Sequence, residues 1–226
     1  MADPALLARI PLFAGLGPSD RDRIAALLQT RRYPRGEVIF HQDDVGSTLH
    51  IVAEGWVKIA ATSVEGKQQT LAILGPGAFF GEMSLLDEEP RSADAIAMEN
   101  CSVLTLSREE FLRYLQEHSS ASLKLLTELC RRLRRADHLI RDTASLDVPG
   151  RLAAAILHLS EEQGRREAQA ISIEVRLTQG ELAELVGASR ESVNKWLGVY
   201  TRQGLLRYDQ GRLTVLNRDG LLQRLY

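Results

Sequence analysis

From Ser120 to Ala144 the chain runs for about 25 residues without a glycine or a proline. At 3.6 residues per turn this is room for about seven unbroken helical turns. Leu126, Leu133 and Ile140 recur every seven residues, and Leu129 and Ala136 lie three after the first two. Such a seam predicts a partner helix, although the same stripe could pack on the chain's own core. Arg131, Arg132, Arg134 and Arg135 interrupt it. They read as a mostly solvated face, in which one arginine would matter if it stood near a ligand pocket. Asp147-Val148-Pro149-Gly150 then breaks the helix, because proline disfavours helix at the residue before it.

This helix divides two different patterns. Before it, Glu37–His41, Thr48–Ala53, Trp56–Thr62, Gln69–Leu74, Ala93–Met98 and Ser102–Leu106 are short apolar segments separated by Gly46, Gly55, Gly66, Gly75 and Gly77. That spacing predicts an all-β barrel or sandwich, with a hairpin turn at Val64-Glu65-Gly66-Lys67. Leu6, Leu7, Ile10 and Leu12 suggest a short amphipathic helix ahead of it. Ser107 with Glu110 predicts a capping box starting a helix over Arg108–Glu117. After the break come a helix over Arg151–Glu162, a strand over Ile171–Arg176 and two short helices. A hairpin of Leu205–Tyr208 and Arg212–Leu216 through Asp209-Gln210-Gly211 closes the chain.

Residues 178–200 read TQGELAELVGASRESVNKWLGVY. Thr178 caps a first helix, Gly187 ends it, and Ser189 caps a second: the pattern of a helix-turn-helix. The second helix would present Ser189, Arg190, Glu191, Ser192, Asn194 and Lys195 to base edges. Arg190 can fork onto guanine O6 and N7, Glu191 can accept from cytosine N4, and Lys195 can reach guanine or phosphate. Thr178, Gln179, Ser189 and Ser192 suit phosphate contacts. The alternative is a protein-binding helix pair with Arg190 and Glu191 as an exposed ion pair.

Residues 81–93 read GEMSLLDEEPRSA. Gly81 permits close backbone approach, and Glu82–Leu86 can make one helical turn whose N–H groups face an anion. Arg91 offers a fork matching a phosphate and Ser92 a hydroxyl. Glu82 fits such a site only if it faces a neutral donor such as a sugar hydroxyl. Together they suit a sugar phosphate. A surface loop with an Arg91–Glu82 or Arg91–Asp87 ion pair is the plainer reading.

Taken with Leu146-Asp147-Val148-Pro149-Gly150-Arg151 and Ala188-Ser189-Arg190-Glu191-Ser192-Val193, these motifs span the whole chain. It resembles the cyclic-AMP receptor protein (CRP/FNR) superfamily of bacterial regulators. The resemblance implies an α+β chain: an N-terminal cyclic-nucleotide-binding β-roll, a jelly-roll-like barrel, over 1–118. A dimerisation helix over 119–145 and a C-terminal winged helix-turn-helix over 146–226 complete it. It implies that Glu82 binds a ribose hydroxyl, and that Arg91, Ser92 and backbone N–H groups around Gly81, Met83, Ser84 and Ala93 hold a cyclic phosphate. Arg132 is placed beside them. Base contacts in the superfamily fall at positions that are Ala136 and Asp137 here. Asp137 could accept the adenine amino group, or equally the N1–H and amino group of guanine. The expected effector is a cyclic nucleotide, cyclic AMP favoured, with no metal. The expected partners are a second copy of the chain, RNA polymerase, and double-stranded palindromic DNA with TGTGA-like half-sites. Lys195 replaces an arginine of the superfamily and lacks its bidentate fork.

Several classes recede. A net charge of −2 argues against bulk electrostatic coating of nucleic acid. Cys101 and Cys130 form no disulfide framework and no N-terminal iron–sulfur cluster. No secretory or membrane-spanning segment is recognisable, which points to the cytoplasm. No nucleophile elbow, P-loop or zinc-ligand spacing suggests an enzyme. Haem or redox sensing, cyclic GMP or cyclic di-GMP control, and ligand-independent action on the same fold stay open.

Overall fold

The computed structural model describes residues 7, 8, 10–63 and 66–225. Ile51 and Val52 adjoin in sequence and are both fully buried. Successive strand side chains leave on opposite faces, so the sheet that carries this pair is covered on both sides. Its strands are β1 (Gln29–Tyr33), β3 (Thr48–Glu54), β6 (Phe79–Phe80) and β8 (Cys101–Ser107), ordered β1-β8-β3-β6. A second sheet, ordered β2-β7-β4-β5, holds β2 (Val38–Phe40), β4 (Val57–Thr62), β5 (Gln68–Leu74) and β7 (Asp94–Ala97). Val52, Phe80 and Val103 of the first sheet share a buried cluster with Val57 and Ala95 of the second, so one core lies between them. Leu49, Ile51, Leu104 and Leu106 face the other way, onto Phe13, Phe111 and Leu125.

That outer core is closed by helices α1 (Pro18–Leu27), α3 (Arg108–Glu117) and the start of α4 (Ser119–Ser145), while α2 (Met83–Leu86) is a single turn after β6. The result is the expected β-roll followed by one long helix. Two strands escape the apolar pattern. β1 exposes four of its five residues and is held by a full ladder, from Gln29 opposite Thr105 to Tyr33 opposite Cys101. β6 has only two residues. The capping box of α3 is half made: Ser107 Oγ accepts the Glu110 N–H at 3.3 Å, but Glu110 itself turns to Arg113. Leu6, Val64 and Glu65 lie outside the described residues, so the N-terminal helix and the hairpin tip are described only in part. Leu7, Ile10 and Leu12 are buried, and Gly66 has φ 77°.

The chain clusters into two compact units, residues 1–67 with 71–133, and residues 68–70 with 134–226; the division falls inside α4. The second unit contains α5 (Val148–Gln163), β9 (Gly164–Glu167), β10 (Ala170–Ile173), α6 (Gln179–Val186) and α7 (Arg190–Arg202). β11 (Leu206–Asp209), β12 (Arg212–Val215), α8 (Arg218–Leu222) and a closing 3₁₀ turn follow. Leu152, Ile156, Leu182, Val193, Leu197, Tyr200 and Leu213 are buried here, giving the reading helices an apolar floor. Gly187, at φ 62°, ends α6 in the left-handed conformation that glycine adopts most readily. Gln210 and Gly211 both have positive φ, the two-residue type I′ connection that suits a hairpin. This is the winged helix-turn-helix.

Helix α5 starts three residues before the expected Arg151. Asp147 Oδ1 accepts the Gly150 N–H at 3.0 Å, and Pro149 sits in the first turn, where its missing N–H is not needed. The break therefore falls at Leu146–Asp147. The strand expected over Ile171–Arg176 is shorter and pairs with β9, a fully exposed Gly-Arg-Arg-Glu strand without an apolar signal. Replacing the cap, Asp147→Ala, should cost about 1 kcal/mol. Urea unfolding should show a lower midpoint with an unchanged slope, and an unmoved midpoint would mean the cap is idle.

Candidate functional site

Strand β6 delivers the chain to Gly81, whose φ of 77° favours glycine. A Cβ there would come within 2.4 Å of Arg91 Nη1. Arg91 is 4% exposed. Its Nη1 donates to the Gly81 carbonyl and, at 2.9 Å, to Ser84 Oγ, and Nη2 donates to the Thr48 carbonyl at 2.7 Å. The guanidinium also lies 4.3 Å from the centre of the Phe40 ring. Burial pulls its pKa down, while the Glu82 and Asp44 charges oppose that pull.

Glu82 is almost fully buried and pairs with α4, not with Arg91: its Oε1 accepts from Arg132 Nη1 at 2.9 Å. Its Oε2 has no hydrogen-bond partner among the described residues. Arg132 also donates to the Phe79 carbonyl and packs over the Phe79 ring. The fold thus joins Gly81, Ser84 and Arg91, with Glu82 and Arg132 beside them. Met83 opens α2 half-exposed, Ser92 is exposed with its hydroxyl 3.8 Å from Met83 Sδ, and Ala93 is buried. Ala136 and Asp137 are exposed, on the share of α4 grouped with the second unit. Among the described residues, no group of three or more His, Cys, Asp or Glu is arranged to hold a metal ion.

Sequence reasoning missed Phe40, Thr48, His50 and Phe79. Thr48 and Phe79 act on the arginines through carbonyl oxygens, which side-chain identity does not reveal. His50 is stacked on Phe80, with ring centres 5.1 Å apart. Burial first, then the Arg91 and Arg31 charges, push its pKa down to about 3. An unfolded His50 takes up its proton near pH 6.5 and the folded one near pH 3, so the unfolded state binds more protons in between. Stability of the β-roll should therefore fall as pH drops through that window. His50→Phe should make the slope shallower by up to ~1.4 kcal/mol per pH unit. An unaltered slope in denaturation measured from pH 4 to 6.5 would contradict this.

In the second unit, Thr178 and Glu181 complete a reciprocal capping box at α6. Ser189 caps α7 by accepting the Ser192 N–H at 3.2 Å. Val193, Leu197 and Tyr200 are buried in the core, while Arg190, Glu191, Asn194 and Lys195 are exposed. The Glu191 carboxyl is held below its ordinary range by its own backbone N–H, the Ser189 hydroxyl and Arg190. It therefore stays an acceptor. Gln179 Nε2 donates to Asn194 Oδ1 at 2.7 Å, linking the two helices on their exposed side. Arg151 ties the α5 start to the turn between them by donating to the Val186 carbonyl at 2.8 Å.

Residues 30–118 match the cyclic nucleotide-binding domain family, and residues 150–224 match the Crp-like helix-turn-helix domain family. A CRP-like cAMP-activated global transcriptional regulator of Mycobacterium tuberculosis is 34% identical over 97% of this chain and 98% of its own length. The cyclic AMP receptor protein of Thermus thermophilus is 38% identical over 91% and 92%. The c-di-GMP responsive global regulator CLP of Xanthomonas campestris has a solved structure that is 27% identical, with TM-score 0.71 over 88% of this chain and 99% of that one. The chain belongs to the CRP/FNR family of DNA-binding transcription regulators that carry a cyclic nucleotide-binding domain.

Proposed function

We propose that this chain is a cytoplasmic, homodimeric transcription regulator whose effector is cyclic AMP, bound at Arg91. In this reading residues 1–118 bind the effector, 119–145 join two copies and 146–226 read DNA. The observation that carries it is the state of Arg91. A guanidinium this deeply buried, bonded among the described residues by neutral acceptors, has lost its hydration without gaining a bonded counter-ion. A phosphate supplies that charge on two oxygens that can accept side by side from the planar fork. Ser84, Ser92 and the backbone around Met83 and Ala93 would complete the cradle. A ribose hydroxyl gives Glu82 Oε2 the donor it lacks.

Coupling follows from Arg132. A sugar hydroxyl on Oε2 shares the carboxylate whose Oε1 holds Arg132 and changes the charge that Arg132 meets, so ligand binding acts on α4. That helix exposes Leu126, Leu133 and Ile140 at 57%, 65% and 69%, an apolar seam suited to a second copy in parallel register. Shifting one copy against the other changes the separation of the two α7 helices, which must match about one turn of DNA. Coupling of this class is worth about 1–3 kcal/mol, so the free protein retains weak operator binding.

The exposed Asp137 favours a second reading, in which guanine supplies two donors to its carboxylate and cyclic GMP or cyclic di-GMP is the effector. The relatives' names do not choose, since they include both cyclic AMP and c-di-GMP responsive proteins. Calorimetric titration with cyclic AMP, cyclic GMP and cyclic di-GMP decides between them. Arg91→Ala should weaken binding of the true effector at least about tenfold with the fold intact; an undiminished affinity would remove Arg91 from the site.

On the DNA side, Arg190 and Glu191 would read a G and a C of a TGTGA-like palindrome, with Ser189, Ser192, Thr178 and Lys195 on phosphates or neighbouring bases. RNA polymerase is the downstream partner. Arg190→Ala should cost roughly 1–3 kcal/mol on the specific operator and little on random DNA. An equal loss on both would reassign Arg190 to phosphate.

A further inference from the structure

We propose that Gln179 and Asn194 act as a single unit that reads one adenine in the major groove, with Gln179 orienting the Asn194 amide that makes the base contact. This rests on the reading of α7 as the DNA-facing helix. Asn194 lies one helical turn after Arg190 and next to Lys195, and all three are exposed. It is exposed, and a free asparagine amide at such a place can rotate to present either its oxygen or its nitrogen. Here it is held. Gln179 is the first residue of α6, and the Thr178–Glu181 capping box fixes its backbone. From there its Nε2 reaches Asn194 Oδ1 at 2.7 Å.

The remaining atoms define what the pair can recognise. Each amide oxygen has two acceptor sites and each amide nitrogen two protons. The 2.7 Å bond uses one proton of Gln179 and one lone pair of Asn194. Asn194 keeps an acceptor on Oδ1 beside two donors on Nδ2. That acceptor–donor edge matches the adenine N6 amino group and N7, the pairing by which an asparagine recognises adenine. Guanine presents two acceptors on the same edge and would face Oδ1 with O6. Gln179 retains a second proton, directed away from Asn194 and available to a phosphate oxygen. Gly198, one further turn along the same side of α7, adds no side chain to keep the duplex away from the amide.

The test is selection from a random duplex pool by the full-length protein in saturating cyclic AMP. Wild type is compared with Gln179→Ala, Asn194→Ala, the double variant and Arg190→Ala. Wild type should enrich an adenine at one fixed position of each half-site. Asn194→Ala should lower discrimination there by roughly tenfold or more while leaving the other positions sharp. Gln179→Ala should weaken discrimination at that same position, and the double variant should be no less selective than Asn194→Ala alone, as expected of coupled residues. The unit is refuted if Asn194→Ala keeps the wild-type consensus. It is refuted equally if Gln179→Ala lowers affinity on all sequences alike and keeps the adenine. An Arg190→Ala consensus altered elsewhere would show that α7 still reads DNA and only the pair has failed. If Arg190→Ala also changes nothing in a consensus that the wild type enriches, α7 is not the reader and the pair falls with it.

Discussion

A cation that is 4% exposed inside a β-roll sets the terms for everything around it. Removing a guanidinium from water is costly, and an interior tolerates it only where the lost hydration is replaced. The roll does this with backbone carbonyls from Thr48 and Gly81, the Ser84 hydroxyl and the Phe40 ring. Each imposes a local demand. Gly81 has no side chain because one would overlap Arg91. His50, stacked beside it, is kept neutral by the same burial and by the arginine's own charge. Asp94 contributes to the loop from the other side. Although burial favours its neutral form, the Gln42 N–H, Thr62 and His41 hold its pKa low. The site thus balances a buried cation with neutral acceptors and with the nearby Glu82 and Asp44 charges.

Much of this was legible from residues 81–93, because glycine, carboxylate, arginine and serine each declare a chemistry through the side chain. Strands β3, β4 and β8 announce themselves through dense Val, Ile and Leu. β1 and β9 do not, since Gln-Thr-Arg-Arg-Tyr and Gly-Arg-Arg-Glu are mostly exposed and are strands only by virtue of the ladders they join. Pro149 was readable as a break but not as a member of the helix it opens. Its effect depends on whether a cap stands before it, and Asp147 does. The ion-pair alternatives for Arg91 fail for a related reason. Sequence proximity suggested Glu82 or Asp87, whereas Glu82 reaches fifty residues along the chain to Arg132.

The division within α4 gives this helix two duties. Its first turns are packed into the roll through Ala121 and Leu125, and Arg132 pairs with Glu82 beside the Arg91 cluster. Its exposed leucines lie on a different side of the same cylinder. A rigid helix cannot rotate one side without moving the other, so in the proposed reading an event at Glu82 is felt along the seam. The proposed coupling needs no chain of side chains between Glu82 and the seam, only a stiff helix. The absence of glycine and proline from Ser120 to Ala144 meets that need.

Charge explains why the reading end must be geometrically exact in a way bulk attraction is not. Residues 119–145 hold six basic and three acidic side chains, but residues 146–226 hold eleven and ten. A nearly neutral reading unit gains little from the general field of DNA. In the proposed reading affinity rests on a few placed groups: the ionised Glu191, the Arg190 fork, and the Gln179–Asn194 amide pair. Two caps, Thr178 and Ser189, fix the helix starts from which those groups project, and the left-handed Gly187 fixes the angle between the helices. Where electrostatic attraction is small, preorganisation must supply the difference, because ordering a floppy side chain on the duplex would consume what little each contact contributes.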